Sequence, residues 1–343
     1  MTKPAPKPAS KPASGPLTGR RIAVVIAVLA LIAVPYAITE IYYVNIASQI
    51  LLYAIFALGL NVLVGYAGLV SLGHAGLFGV AAYVVGYVLA AGYGHTLAIL
   101  AALAAGQVAT AVFAALSLRA TGISFIMITL ALGEIIWGLA YRWISITNGD
   151  NGISVATRPE PFGLPLDSAR GFYAATLVVF LVAVAAAAIF VRSPFGAALA
   201  GTREQPRRMN TLGYHVWMIR FWACMFSGLL TSMAGILFVY YNEFISPQAL
   251  ALTASAESLL MVISGGAGTL LGPIMGAALV VIVKNVVSAY VERWNFMLGA
   301  IFVAIVVFMP EGLVPGAVRL ARSAWRAVSR QKTGAPSVAG TEQ

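Results

Sequence analysis

The chain has 343 residues, of which 60% are hydrophobic and only 9% are charged. Soluble domains carry about 25% charged residues, so this composition excludes an ordinary water-soluble globule. The net charge is +10, but the basic residues form separate clusters and do not follow one face, as they do in a nucleic-acid-binding surface. Runs of about 20 apolar residues indicate membrane spans instead.

The N-terminus contains basic residues and prolines and then turns apolar. Residues 1–20 are rich in Lys, Pro, Ala and Ser, which predicts a disordered basic cytosolic tail. A cleaved signal peptide is the alternative. The apolar run from Ile22 to Ile38 is longer than a signal-peptide core of about 7–15 residues. We therefore predict a retained first span.

Ten apolar segments have the lengths expected of membrane crossings. A helix rises about 1.5 Å per residue, so about 20 residues cross about 30 Å of hydrocarbon. The segments are Ile22–Ile38, Ile46–Val64, Leu72–Ala91, Leu97–Leu118, Ile123–Tyr141, Phe172–Val191, Phe221–Tyr241, Ala254–Ser264, Pro273–Val291 and Phe296–Met309. The eighth is short, which is typical of a half-span or re-entrant segment. The predicted fold class is an all-α polytopic membrane protein with about ten transmembrane helices.

The basic clusters predict the orientation of the chain. They lie in the N-terminal tail, in the central loop 192–220 and in the tail 317–343. Ten crossings place all three on the same side, and the positive-inside rule makes that side the cytosol. Both termini are therefore predicted to be cytosolic, around a transmembrane domain of residues 21–316. This prediction depends on counting the eighth segment as a crossing.

A glycine-rich stretch, NVLVGYAGLVSLGHAGLFG, joins the second and third spans. We interpret its glycines as bends in a pore wall, with a fainter echo in GGAGTLLGPIMGAAL from Gly265. Similar composition alone is the alternative origin of that echo. The predicted bends are Gly65, Gly68, Gly73, Gly265, Gly266 and Gly268. A phosphate-binding loop is disfavoured because G-x-x-x-x-G-K-[ST] is absent.

Five polar residues within or next to the apolar segments are candidates for a translocation pathway: Asn61, Ser71, His74, Glu134 and Glu257. A charge at the membrane centre costs about 2.5–3.5 kcal/mol, so Glu134 should face the bundle or water. Hydrogen bonding between helices is the structural alternative for each of them. Lys284, in the ninth span, either lines a pore or extends to the interface. No catalytic, nucleotide or metal motif appears, so we expect no enzyme and no metal site.

The central segment, SPFGAALAGTREQPRRMNTLGYHVWMIR, is amphipathic and basic. Two interpretations are open. It either contacts lipid headgroups as a solvated charged run, or forms a short helix that docks in a groove of a partner. Pro206 interrupts it and predicts that a helix begins or kinks there.

Several segments, in order, resemble a known family. They are NVLVGYAGLVSLGHAGLFGVAAY, TGISFIMITLALGEIIW, NGDNGIS, SPFGAALAGTREQPRRMNTLGY, SAESLLMVISGGAGTLLGPIMGAAL and FMPEGL. Together they resemble the permease subunits of branched-chain amino-acid ABC importers of the LivM type, from about Asn45 to Gly316. The Pro/Lys tail has no counterpart.

The resemblance implies a multi-pass permease of the bacterial inner membrane. It implies four partners: a LivH-like second permease, two cytosolic ABC ATPase subunits that bind ATP and Mg, and a periplasmic solute-binding protein. Membrane lipid is a further expected contact, nucleic acid is not, and this chain itself is expected to hold no cofactor. Coupling to the ATPases is assigned to Ser193, Gly196, Arg203, Glu204, Arg207, Arg208 and Gly213.

Two other functions remain open at this point. In the first, the chain is a permease of the same family that carries urea, short amides or aromatic acids. In the second, the chain is an ion-coupled secondary transporter that uses Glu134 or His74 as a proton site.

Overall fold

The computed structural model describes residues 29–33, 35, 40–155, 168–288, 294–309, 312–316 and 319. The predicted tail 1–20 lies outside these residues, as do most of the first span and all of the tail 317–343 except Arg319. The described part is a bundle of helices, which confirms the predicted all-α polytopic class.

The helices follow the predicted apolar segments closely. They are α1 (Ile41–Asn61), α2 (His74–Ala90), α3 (His95–Ser117), α4 (Ile123–Arg142), α5 (Ile144–Thr147), α6 (Ala169–Arg192), α7 (Pro194–Glu204), α8 (Pro206–Thr211), α9 (Val216–Asn242), α10 (Leu252–Gly265), α11 (Gly272–Ser288) and α12 (Trp294–Phe308). A π-helical turn, Val62–Ala67, extends α1, and 3₁₀ turns cover Gly149–Asn151 and Pro247–Leu250.

Within the described part of the chain, five helices are long and apolar enough to cross a membrane: α1 with its π-turn, α3, α4, α6 and α9. The shorter α2, α10 and α11 are also apolar. In an 18-residue apolar stretch taken from each helix, 78% of the residues of α1 and 67% of those of α9 are buried inside the protein, compared with 22% of those of α4. Helices α1 and α9 therefore form the centre of the bundle, and α4 lies at its edge. The predicted total of ten crossings stays a prediction, because most of the first predicted span lies outside the described residues.

The connections between helices alternate between two ends of the bundle. One end holds the turns 68–73, 118–122, 193–215 and 266–271, where Arg203 contacts Gly65 and Gly68. The opposite end holds 143–155 and 243–251, where the two-residue strands β1 (Ile153–Ser154) and β2 (Phe244–Ile245) pair antiparallel. These strands are the only β structure among the described residues.

Charge separates the two ends. Among the described residues, the first end carries Arg119, Arg192, Arg203, Arg207, Arg208 and Arg220 beside the one acid Glu204. The opposite end carries Arg142 and Arg170 beside Glu40, Asp150 and Glu243. The positive-inside rule predicts that the arginine-rich end faces the cytosol. The described helices thus follow the alternation predicted from the sequence.

The eighth predicted segment is short in the structure too. Helix α10 has 14 residues and rises about 21 Å, less than the roughly 30 Å of a hydrocarbon core. It ends at Gly265, and the non-helical loop 266–271 follows at the arginine-rich end. Non-helical backbone at such a depth is tolerated where protein covers it, and here the π-turn covers it.

Candidate translocation and coupling sites

Two glycine-rich backbone segments meet near the arginine-rich end: the π-turn Val62–Ala67 and the loop 266–271. We call this meeting the glycine contact. A Cβ added at Gly65 would overlap the amide nitrogen of Gly268. Gly68 ends the π-turn at φ +69°, and Gly266 and Gly268 have φ of +113° and +83°. The contact therefore needs glycine for close approach and for left-handed backbone.

Asn61 joins the two sides of the glycine contact. Its Nδ2 donates to the carbonyl of Thr269 at 2.9 Å, and its Oδ1 accepts from the amide of Gly268 at 2.9 Å. The side chain is only 1% exposed. Asn61 thus satisfies backbone groups of a loop that has no helical hydrogen bonds. Its predicted role in the pathway remains a prediction.

His74 lies in a buried hydrogen-bond chain that joins three helices. Its Nδ1 is 2.8 Å from Ser71 Oγ, and its Nε2 is 3.0 Å from Ser227 Oγ. Ser227 donates its own proton to the carbonyl of Gly59 at 2.6 Å. Ser227 must therefore accept from Nε2–H, which leaves Nδ1 to accept from Ser71. The arrangement holds α1, α2 and α9 together.

The first turn of α2 is satisfied by side chains from other helices. The amide of Leu72, just before the helix, donates to Thr129 Oγ1 of α4 at 3.3 Å, and that of Ala75 donates to Ser255 Oγ of α10 at 3.1 Å. A Cβ on Gly73 would overlap the carbonyl of Thr129. Sequence reasoning missed Thr129, Ser227 and Ser255. Each is one of several hydroxyl residues on its largely apolar helix, so the sequence alone does not single it out.

The two candidate carboxylates have different surroundings. Glu134 is half-buried at the middle of α4 and makes no hydrogen bond or ion pair among the described residues. Glu257 on α10 forms an ion pair with Lys284 on α11, with Oε2 3.2 Å and Oε1 3.4 Å from Nζ. Lys284, left open between two positions by the sequence, thus points to α10.

A cavity of about 270 Å³ surrounds the ion pair. It opens toward the opposite end, because Ser246 and Gln248 of the β2 connection line it. Its remaining lining is Tyr53, Phe56, Phe78, Phe238, Ala249, Thr253, Ala254, Glu257, Ser258, Met261 and Lys284. The predicted pathway residues therefore fall into separate groups. Asn61, Ser71 and His74 are buried near the glycine contact, whereas Glu257 faces this cavity and Glu134 lies on α4.

The predicted coupling segment forms two short helices, α7 and α8. Ser193 caps α7 by accepting from the amide of Gly196 at 3.2 Å, and Leu199 anchors it with a fully buried side chain. Helix α8 begins at Pro206, which confirms the predicted interruption, since proline suits a first helical turn and not an interior. Gly213, at φ +87°, ends the segment.

Arg203 fastens the coupling segment to the glycine contact. Its Nη1 donates to the carbonyl of Gly65, and a Cβ added at Gly68 would lie 2.7 Å from its Cγ. Arg220 reinforces the end of α7 by donating to the carbonyl of Thr202 at 2.8 Å. Helix α7 is therefore in direct contact with the π-turn through Arg203.

The outer surface of the coupling segment is basic. The side chains of Glu204, Arg207 and Arg208 are exposed. Arg207, Arg208 and Arg220 line a cavity of about 660 Å³ together with Gly68, Leu69, Thr121, Gly122, Gln205 and Pro206. This surface is suited to receive acidic or polar groups from a cytosolic protein. Among the described residues, no group of three His, Cys, Asp or Glu side chains is arranged to hold a metal ion.

Comparison with known proteins identifies the family. Residues 42–306 match the model of a family described as branched-chain amino acid transport system / permease component. The chain belongs to this family. The resemblance drawn from the sequence motifs is confirmed, and so is the expectation of a permease subunit in the inner membrane.

Individual relatives cover most of the chain. LivM, the high-affinity branched-chain amino acid transport system permease protein of Escherichia coli K12, is 31% identical over 298 residues, covering 79% of this chain and 70% of the relative. LivM of Salmonella typhimurium is 30% identical over the same shares. LsrC of Salmonella paratyphi B, an autoinducer 2 import system permease protein, is 29% identical over 67% of each chain. No solved structure gives a significant match.

Proposed function

We propose that this permease is one of two membrane subunits of an ATP-driven importer for branched-chain amino acids. Family membership and the two LivM relatives support the substrate class. The observation that carries the mechanism is the contact of Arg203 with Gly65, which joins the coupling segment to the glycine contact. In this role the chain has no ATPase site of its own, and two cytosolic ABC subunits bind ATP and Mg.

The coupling segment transmits the movement of the ATPases. Helix α7 is held firmly by its Ser193 cap and by buried Leu199, so a push on the exposed arginines displaces it as a unit. Arg203 passes this displacement to the π-turn. At the glycine contact the two hydrogen bonds of Asn61 join the end of α1 to the loop 266–271, so a displacement of the π-turn also moves this loop. The outcome is a change in the packing of α2, α10 and α11 around α1.

A second, LivH-like permease covers α4 in this proposal. Helix α4 is the least buried of the five long helices, and Glu134 at its middle makes no hydrogen bond or ion pair among the described residues. A carboxylate at that depth costs about 2.5–3.5 kcal/mol in lipid. Glu134 therefore faces a polar path between the two permeases, where water or a partner side chain offsets that cost.

The opposite end of the bundle receives the periplasmic solute-binding protein. There β1 and β2 pair, and Gln248 Nε2 donates to Asp150 Oδ1 at 3.0 Å. A cavity of about 540 Å³ lies between the end of α2 and the segment 144–154. These contacts give an ordered platform at the mouth of the bundle, as docking of a rigid partner requires.

Reconstitution tests the proposed function. The chain is placed in liposomes with the second permease, both ATPases and the binding protein, and uptake of labelled leucine is measured. ATP inside the liposomes should drive uptake, and valine and isoleucine should compete with leucine. Uptake of urea, short amides or aromatic acids without leucine uptake would move the substrate to another class. Uptake by this chain alone under a proton gradient would overturn the ATP-driven mechanism.

A further inference from the structure

The Glu257–Lys284 ion pair lines a cavity and is not sealed between helices. The exposed fractions are 36% for the Lys284 side chain and 21% for Glu257. Glu257 is five residues from the start of α10 and Lys284 four residues from the end of α11, so each lies about 6–8 Å inside the opposite end. The pair is thus within reach of a solute that enters from that end.

Stability alone is a weak reason for these charges. An ion pair taken out of water contributes little compared with apolar side chains of similar volume, because desolvation offsets the attraction. The rest of the cavity wall is largely apolar and aromatic, including Phe56, Phe78 and Phe238. Opposite charges placed against such a wall match a molecule that carries both charges and an apolar side chain.

We propose that this cavity is an entry site for a zwitterionic α-amino acid, with its ammonium group on Glu257 and its carboxylate on Lys284. The inference rests on the proposed function and adds the residues that recognise the solute. Insertion of a zwitterion replaces one ion pair by two and leaves the net charge of the cavity unchanged. A solute with a single charge would pair with only one of Glu257 and Lys284, so a zwitterion matches this pair of charges better.

The size and shape of the cavity agree with this ligand. Its volume of about 270 Å³ lies just below the roughly 300–1,000 Å³ typical of small-molecule sites. This volume accommodates a solute as small as an amino acid. The rings of Phe56, Phe78 and Phe238 and the thioether of Met261 offer an apolar surface to an aliphatic side chain.

The decisive variant removes both charges. Glu257→Gln with Lys284→Met removes both charges of the pair, so a purely structural pair predicts that the double variant recovers from the defects of either single change. The matched control is Asn285→Ala. Asn285 donates to Gln49 Oε1 at 2.8 Å and joins α11 to α1 next to Lys284, but it does not line the cavity. All variants are assayed in the full reconstituted importer.

We expect the double variant to assemble normally and to lose about tenfold or more in kcat/KM for leucine uptake, as expected when contacts to charged groups are lost. The Asn285→Ala control should stay within about twofold of the unaltered complex. Recovery of uptake in the double variant would show that the pair is structural and overturn this inference. Absence of ATP-driven leucine uptake in the unaltered complex would instead defeat the proposed function.

Cysteine labelling gives an independent readout. Thr253 lines the cavity and is exposed, and the single native cysteine, Cys224, is buried. In the complex carrying Thr253→Cys, a thiol reagent added from the opposite end should react more slowly when leucine and binding protein are in excess. Leucine should not protect this cysteine when Glu257→Gln and Lys284→Met are also present. Equal reaction rates with and without leucine in the Thr253→Cys complex would contradict occupation of the cavity.

Discussion

Arg203 is the residue through which the coupling segment holds the glycine contact, and its removal should uncouple transport from ATP hydrolysis. Arg203→Ala deletes a charge-assisted hydrogen bond to the carbonyl of Gly65 and the packing of its stem against Gly68. A hydrogen bond to a charged group contributes about 1.5–3 kcal/mol. Because the Arg203 side chain is exposed, the lower figure applies, and about 1.5 kcal/mol corresponds to about a tenfold effect.

The assay compares binding-protein-stimulated ATPase activity with leucine uptake in proteoliposomes. Arg203→Ala should lower uptake per ATP hydrolysed by about tenfold, while insertion and assembly stay intact. Arg203→Lys keeps the charge but lacks the planar fork, so it should recover only part of the coupling. The double charge reversal Arg203→Glu with Arg208→Glu should abolish stimulated ATPase activity, because it also reverses the exposed basic surface. Normal coupling in that correctly inserted double variant would refute the assigned role of α7 and α8.

Three further predictions follow from the buried contacts and from the orientation. Gly65→Ala should lower the thermal unfolding temperature of the complex markedly because its Cβ overlaps the opposing loop, whereas Gly138→Ala, whose Cβ meets nothing, should leave it nearly unchanged. Asn61→Ala removes the hydrogen-bond partner of two partly buried backbone groups and should cost about 1–3 kcal/mol in denaturant unfolding; a loss below about 0.5 kcal/mol would contradict a stabilising role of these two hydrogen bonds. A cysteine at exposed Leu212 should react with an impermeant thiol reagent only from the cytosol, and one at exposed Tyr93 only from the periplasm; the reverse pattern would invert the orientation.

The sequence was sufficient for the helices and for their order because an apolar span is a local property. A run of about 20 apolar residues has only helix available to satisfy its backbone in lipid. The predicted start at Ile123 and the helix break at Pro206 both match the structure. The family was likewise readable from short motifs, since each is a contiguous string. Helix ends were less accurate, and α9 begins at Val216, five residues before the predicted Phe221.

The candidate site depended on contacts between distant parts of the chain. Glu257 and Lys284 were visible as isolated charges, but only the crossing of α10 and α11 brings them to 3.2 Å. The sequence favoured a structural role for His74 over a proton site, but only the tertiary structure places Ser71 and Ser227 at its two nitrogens. Single-residue reasoning cannot separate a pathway carboxylate from a paired one, because the partner is supplied by another helix.

The sequence by itself determined the membrane class, the helical segments, the orientation suggested by its arginines and the permease family. These follow from composition, from length against bilayer thickness and from local motifs. Tertiary structure alone decided that Arg203 reaches Gly65, that the two glycine-rich segments meet, and that an ion pair borders a cavity at the opposite end. The physical reason is that apolar helices in a bilayer differ little in hydrophobicity, so small residues and a few polar contacts select which helices pack together.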